Sequence, residues 1–141
     1  MKNLPKIHNE ALFQQAFTHR SYLNESKKEL ESNERLEFMG DSILSFVVSE
    51  HLYKTFPDFD EGILTNLRSL LVNTKSIAQA ARILELGKYL KLSRGEEESK
   101  GRENESLLAN SFESFIGALY LDQGIEAVRT FIGSMLFPQI D

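Results

Sequence analysis

Asn33-Glu34-Arg35-Leu36-Glu37-Phe38-Met39-Gly40-Asp41-Ser42-Ile43-Leu44 is the stretch that decides how this chain is read. On a helix, Glu34, Glu37 and Asp41 stand at i, i+3 and i+7 and share one face. The same face continues into Leu44 and Val48, so acid runs directly into core-type residues. Like charges one turn apart destabilise a helix, and partial burial strips each carboxylate of water. A divalent cation removes both objections, and magnesium takes oxygen ligands while keeping several waters. The bland alternative is a solvated acidic face paired with Arg35 or nearby lysines, the ordinary outcome for an isolated pair of acids at this spacing. Two features set this segment apart. Apolar residues interrupt the face, and Gly40 sits mid-helix at a cost of roughly 1 kcal/mol against Ala. A glycine there points to close approach of another backbone or side chain.

A second stretch, Asn104 to Leu121, is strongly apolar and holds one acid in its middle, Glu113, among Phe112, Phe115, Ile116, Ala118 and Leu119. A glutamate so placed is paired, protonated or metal-bound. Asn110, Glu113 and Gly117 again fall at i, i+3 and i+7. The plain alternative is a Glu bonded to an Arg or a backbone donor. The other is that this face packs on the first acidic stripe and the two helices form a metal cradle. Periodicity within one chain does not show that the faces meet.

Around these stretches the 141 residues contain only eight Gly and three Pro, and long segments carry helical spacing. A first helix is predicted over about 9–17, followed by the turn Thr18-His19-Arg20-Ser21-Tyr22 and a charged loop or short helix over 23–32. A long helix follows over 33–55, stopped by Pro57. Next comes a helical stretch over 61–86, with a kink near Asn73 and Gly87 as C-cap. Its apolar stripe is Ile63, Leu67, Leu70, Leu71, Ile77, Ala78 and Ala81. Residues 93–105 read as an exposed loop, and a last helix covers about 125–136. No segment alternates with period two, so the expectation is a single all-α domain over 1–141.

Hydrophobic residues at 41% supply a core without staples. No cysteine is present, which excludes disulfides and thiolate metal sites and fits a reducing cytoplasm. The start, Met1-Lys2-Asn3-Leu4-Pro5, has no signal-peptide pattern, and no run spans a bilayer, so no membrane partner is expected. The net charge of −5 argues against a simple basic nucleic-acid binder. It suits a metal-dependent nuclease, which needs clustered acids.

NERLEFMGDSIL, residues 33–44, resembles the ribonuclease III signature. FTHRSYLNE from Phe17, DEGILTNLRSLLVN from Asp60 and NESLLANSFESFIGALYLDQG from Asn104 are similar to further motifs of that family, in the same order. The resemblance spans about 12–137. It implies a ribonuclease III endonuclease-like helical bundle forming a symmetric homodimer. The implied reaction is Mg²⁺-dependent hydrolysis of double-stranded RNA, with Mn²⁺ as a substitute, to 5′-phosphate and 3′-hydroxyl ends. Glu37, Asp41 and Glu113 match three of the family's core acids. Asp41 and Glu113, with Asn110, form the implied catalytic set, and Glu37, Asp41, Asn110 and Glu113 the metal set. Glu34 and Glu61 match outer supporting acids, and Phe38 the aromatic that plugs into the partner.

Asn110 departs from the family pattern, which has aspartate there. An amide keeps one acceptor oxygen, loses the charge and adds two donors. Catalysis should therefore be impaired. An engineered inactivation, a natural variant of reduced activity and a pseudoenzyme all fit, and the intact remaining acids favour the first two. RNA would be chosen by A-form shape and 2′-hydroxyls. Candidate phosphate contacts are Arg20, Arg68, Lys75, Arg94, Lys100 and Arg102. His19 reads as a hydrogen-bonded structural residue, and His8 and His51 carry no functional argument. The family's separate double-stranded-RNA-binding domain does not follow Asp141, so affinity for RNA is expected to be weak and salt-dependent. Two rival readings are a non-catalytic dimeric RNA-binding or scaffold protein, which Asn110 favours, and an unrelated helical magnesium hydrolase of small nucleotides, which the length of the motif match disfavours.

Overall fold

The computed structural model describes residues 3–141 and is helical throughout, with one isolated bridge between Thr18 and Lys91. Of the expected polar start, Met1 and Lys2 lie outside the described residues. The helices are α1 (Glu10–Ala16), α2 (Glu34–Thr55), α3 (Glu61–Val72), α4 (Thr74–Ile83), α5 (Arg94–Glu98), α6 (Glu105–Gln123) and α7 (Ile125–Leu136).

Local chemistry sets most of the starts. Asn9, Asp60, Asn73, Ser93 and Asn104 each accept, through the side chain, a backbone N–H three residues on, which satisfies an orphan donor of the first turn. Asn33, before α2, makes no such cap. Its buried side chain instead donates to the Ala16 carbonyl at 3.3 Å, fastening the start of α2 to the end of α1.

Three expectations need correction. The stretch over 61–86 is two helices, not one kinked helix. Asn73 turns extended (φ −66°, ψ 160°), ends α3 and caps α4, while Ser76 Oγ donates back to the Leu70 carbonyl at 2.7 Å. Gly87 is not a C-cap. α4 ends at Ile83, and Glu85 takes the left-handed conformation with φ 57°. Gly87 is needed for a different reason: a Cβ there would stand 2.5 Å from the Arg102 carbonyl oxygen. Residues 93–105 are not a plain loop, since they form α5 and a 3₁₀ turn over Gly101–Glu103.

α6 is the central helix. Residues 108, 109, 111, 112 and 114–119 are all buried, and α1, α2, α4 and α7 pack round it. Its two buried serines stay satisfied within the helix layer, Ser111 Oγ donating to Leu108 O and Ser114 Oγ to Ala16 O. Phe17, Phe115 and Phe131 pack through the core as tilted and edge-on rings, centroids 5.3–6.1 Å apart, a geometry that adds to area burial. Arg129 of α7 forks onto Glu50 of α2 at 3.0 and 3.1 Å.

The closest approach is between α2 and α6. A Cβ on Gly40 would lie 1.8 Å from the Glu113 carbonyl oxygen, and one on Gly117 would lie 2.4 Å from the Leu36 carbonyl oxygen. Two glycines facing each other therefore let the two acid-bearing helices touch backbone to backbone. The reading of Gly40 from sequence holds, and Gly117 is its counterpart.

Candidate metal and active site

Glu37 and Asp41 stand on α2 and Glu113 on α6, beside the glycine contact. With Glu34 and Phe38 they line one open pocket of about 490 Å³. Glu37 also lines a second pocket, of about 350 Å³, with Asn110, His19, Arg20, Asn33, Glu34, Leu90 and Leu107. The two stripes read from sequence thus meet, with Glu37 common to both pockets. Leu44 and Val48, further along the face, are fully buried, so the acidic stripe does run into the core.

The electrostatics record what this proximity costs. Burial, a proton shared with Asp41, and the charges of Asp41 and Glu37 push the Glu113 carboxyl up to about 9. Burial first, then the charges of Glu34 and Asp41, also raise Glu37. Half-buried acids facing each other hold protons where a free carboxylate would not. Every side-chain donor in the pocket is oxygen, the donor set of a hard cation such as Mg²⁺. Among the described residues no three His, Cys, Asp or Glu side chains stand together as a group that could hold a metal ion in this arrangement. Glu37, Asp41 and Glu113 bring oxygen donors of that kind to one pocket, and Asn110 lines the neighbouring one.

A pH dependence follows. Raised carboxyl pKa values mean the folded chain keeps protons that the unfolded chain releases. What these two groups contribute to stability is therefore fully present below the ordinary carboxylate value of 4.5, and for Glu113 it drains away as pH climbs toward about 9. Metal binding must displace those protons. Thermal melts of the metal-free chain are expected to fall between pH 5.5 and 9, and added Mg²⁺ to raise the midpoint most at the alkaline end. A midpoint flat with pH and blind to Mg²⁺ would contradict the shared-pocket reading.

Other residues singled out from sequence are scattered. Glu61 opens α3 and lines a separate groove with Tyr53, Phe59 and Arg68, so within one chain it does not join the acid pocket. Of the six basic residues, Arg20 lines the pocket that holds Glu37 and Asn110 and lies 3.8 Å from Glu34, while Arg68 lines the groove of Glu61. Arg68 donates to Ser49 Oγ, and Arg94 pairs with Glu98 at 3.2 Å. Lys75 and Lys100 are exposed on α4 and before the 3₁₀ turn. Arg102 is committed to Glu97 and to the carbonyls of Gly87 and Leu90, which makes it a structural tie. His51 stacks on Phe137 and meets Asp141 at 3.0 Å. His8 bonds Asp122 through its backbone N–H. The presence of His19 beside Asn110 was not anticipated. Its signal was the short FTHRS turn, which brings α1 and α2 together.

The sequence matches the Ribonuclease-III-like family model over residues 9–140. The chain belongs to the ribonuclease III family. It is 53% identical over 133 residues to the Ribonuclease 3 of Anoxybacillus flavithermus, covering 94% of this chain and 56% of the relative. Against that of Bacillus licheniformis it is 50% identical over 137 residues, covering 96% and 55%. The chain thus spans little more than half the length of these curated relatives. Among solved structures, the nuclease domain of ribonuclease III from Campylobacter jejuni superposes with a TM-score of 0.84 at 40% identity, covering 96% of this chain and 91% of the other. Dicer from Pichia stipitis gives 0.73 at 28% identity, covering 99% and 59%. The family membership excludes the unrelated small-nucleotide hydrolase.

Proposed function

We propose that this chain is the catalytic domain of an endoribonuclease that hydrolyses phosphodiester bonds of double-stranded RNA with Mg²⁺, or Mn²⁺ in its place, leaving 5′-phosphate and 3′-hydroxyl ends. The observation that carries the reading is the oxygen-only pocket where Glu37, Asp41 and Glu113 converge from two helices locked together at Gly40 and Gly117. A bound Mg²⁺ would supply an acidified water and charge for the leaving oxygen. The chain's own residues do the rest. Glu37 and Asp41 would hold the cation, Glu113 would give up its proton to make room for that charge, and the tight α2–α6 contact keeps the acids in register. Asn110 offers an amide oxygen without charge, so turnover is slow. The work is assigned to the cytoplasm. Among the described residues no helix is long and apolar enough to cross a membrane. The test is cleavage of a long RNA duplex with Mg²⁺ and then with chelator. Products that persist under chelation, or a chain that is silent even with aspartate restored at 110, would overturn it. The second reading, a non-catalytic dimeric scaffold that binds the duplex uncut, is favoured by Asn110 itself.

The active form we assign is a symmetric homodimer. Phe38 is 79% exposed, and it borders a groove of about 640 Å³ lined by Leu12, Leu36, Met39 and Leu121. A protruding ring beside an apolar socket on the same surface is self-complementary under a two-fold axis. Phe46 and Tyr53 extend the exposed apolar line along α2. The Campylobacter jejuni nuclease domain has a region involved in dimer formation. If Glu61 serves as an outer acid, it does so from the partner subunit. Phe38→Ala is expected to weaken the dimer by at least about 2 kcal/mol, roughly thirtyfold in dissociation constant. Sedimentation equilibrium checks this, and a monomer at high concentration before any substitution would refute the dimer.

A further inference from the structure

Asn9, Asp60, Asn73, Ser93 and Asn104 each use a side chain to cap the helix that follows. Asn33, the residue before α2, does not, although asparagine is among the strongest caps. Its amide is buried instead, and Nδ2 donates to the Ala16 carbonyl at 3.3 Å. Its backbone is held too. Asn33 N–H donates to the Thr18 carbonyl, and Glu37 N–H donates to the Asn33 carbonyl, both at 2.9 Å. On α6, Ser114 directly follows Glu113, and its buried hydroxyl donates to the same Ala16 carbonyl at 2.6 Å. The Ser111 carbonyl stands further from that hydroxyl, at 3.1 Å. Ala16 closes α1, so its carbonyl is an orphan acceptor of a helix end, and among the described residues no backbone N–H reaches it.

We propose that Asn33 and Ser114 are positioning residues for the acid pocket. By sharing one acceptor, the Ala16 carbonyl, they fix α2 and α6 against α1 and so set how Glu37 and Glu113 face each other. This rests on the proposed Mg²⁺-dependent function and adds residues that serve it without meeting metal or RNA. The glycine contact alone does not settle the placement. Gly40 against the Glu113 carbonyl and Gly117 against the Leu36 carbonyl set how closely the two helices approach, but two rods touching at one patch can still rock about it. A second tie, made through a third helix, removes that freedom. Its leverage is direct, because Asn33 stands one turn before Glu37 and Ser114 stands next to Glu113. Burial keeps the tie closed. Ala16, Asn33 and Ser114 are all shut away from solvent, where an unpaired donor or carbonyl is costly.

The experiment compares Asn33→Ala, Ser114→Ala and the double variant with the unsubstituted chain, by Mg²⁺ titration followed by NMR and by unfolding in denaturant. Each single substitution leaves one donor on the carbonyl and is expected to weaken Mg²⁺ binding by about threefold, whereas the double variant should lose about thirtyfold, more than the roughly ninefold product of two independent losses. A thirtyfold loss lies within the range of roughly 10–100-fold typical of groups that orient metal ligands. A pair with a purely structural role would lower stability in denaturant and leave the Mg²⁺ affinity of the folded chain where it was. The Ala16 carbonyl-carbon resonance reports the tie itself. Losing a donor moves it upfield, so it should shift in each single variant and furthest in the double. Unchanged Mg²⁺ affinity in the folded double variant overturns the positioning role. If the double variant does not fold, unchanged affinity in both single variants does the same, and a still Ala16 resonance removes the shared acceptor. An unsubstituted chain that takes up no Mg²⁺ overturns the metal-dependent function itself, and the positioning role with it.

Discussion

Asn110→Asp is expected to raise Mg²⁺-dependent cleavage of a long RNA duplex by about a hundredfold or more, the scale of one well-placed electrostatic contribution to a transition state. The side chain lines the pocket that shares Glu37 with the acid cluster, and among the described residues no hydrogen bond ties it to a structural duty. Exchanging the amide NH₂ for a carboxylate oxygen changes little in volume, so the effect isolates charge. That charge adds attraction for a divalent ion and, without one, adds repulsion against Glu37. Two readouts should therefore move in opposite directions. Metal-free thermal stability falls, while Mg²⁺ affinity and cleavage rise, and chelation abolishes the gain. A higher rate that survives chelation would break the link to metal. A folded, Mg²⁺-binding variant with no detectable cleavage would mean that the chain is a scaffold.

The acidic stripe was readable from sequence because helical periodicity places side chains on faces without any knowledge of the partner. Glu34, Glu37 and Asp41 needed only the i, i+3, i+7 rule, and Glu113 needed only its apolar neighbours. Gly40 carried a tertiary message, since a mid-helix glycine is explained only by something close, and that something is the Glu113 carbonyl. What stayed hidden were groups whose role depends on a second element. Glu61 matches an outer acid in sequence, yet α3 carries it to another groove. Arg102 looks like a surface cation but is tied to Glu97 and two carbonyls. His19 looks structural, and its Nδ1 is, but the ring also borders the pocket of Asn110. The split of 61–86 was missed for a local reason. Asn73 serves two helices at once, and periodicity passes smoothly through it.

Gly40→Ala is expected to destabilise the fold by about 3 kcal/mol, the upper end of overpacking costs, and to abolish metal binding in whatever remains folded. A Cβ at this position meets the Glu113 carbonyl oxygen at 1.8 Å, with the Gly117 amide nitrogen at 3.1 Å. Both obstacles are backbone, so no rotamer change relieves them, and α2 and α6 must move apart. Glu37 and Asp41 travel with one helix and Glu113 with the other, which means the widening falls directly on the acid pocket. Metal-free unfolding by denaturant measures the first effect and Mg²⁺ titration the second. The electrostatic signature supplies a third check. With the helices apart, Glu113 is less buried and Asp41 and Glu37 act less on it, so its pKa should drop from about 9 toward the ordinary value, and the fall in stability with rising pH should flatten. A Gly40→Ala chain of undiminished stability that still binds Mg²⁺ would show that helix contact does not set the site. In that case Leu36, Gly40, Glu113 and Gly117 would be packing residues and nothing more.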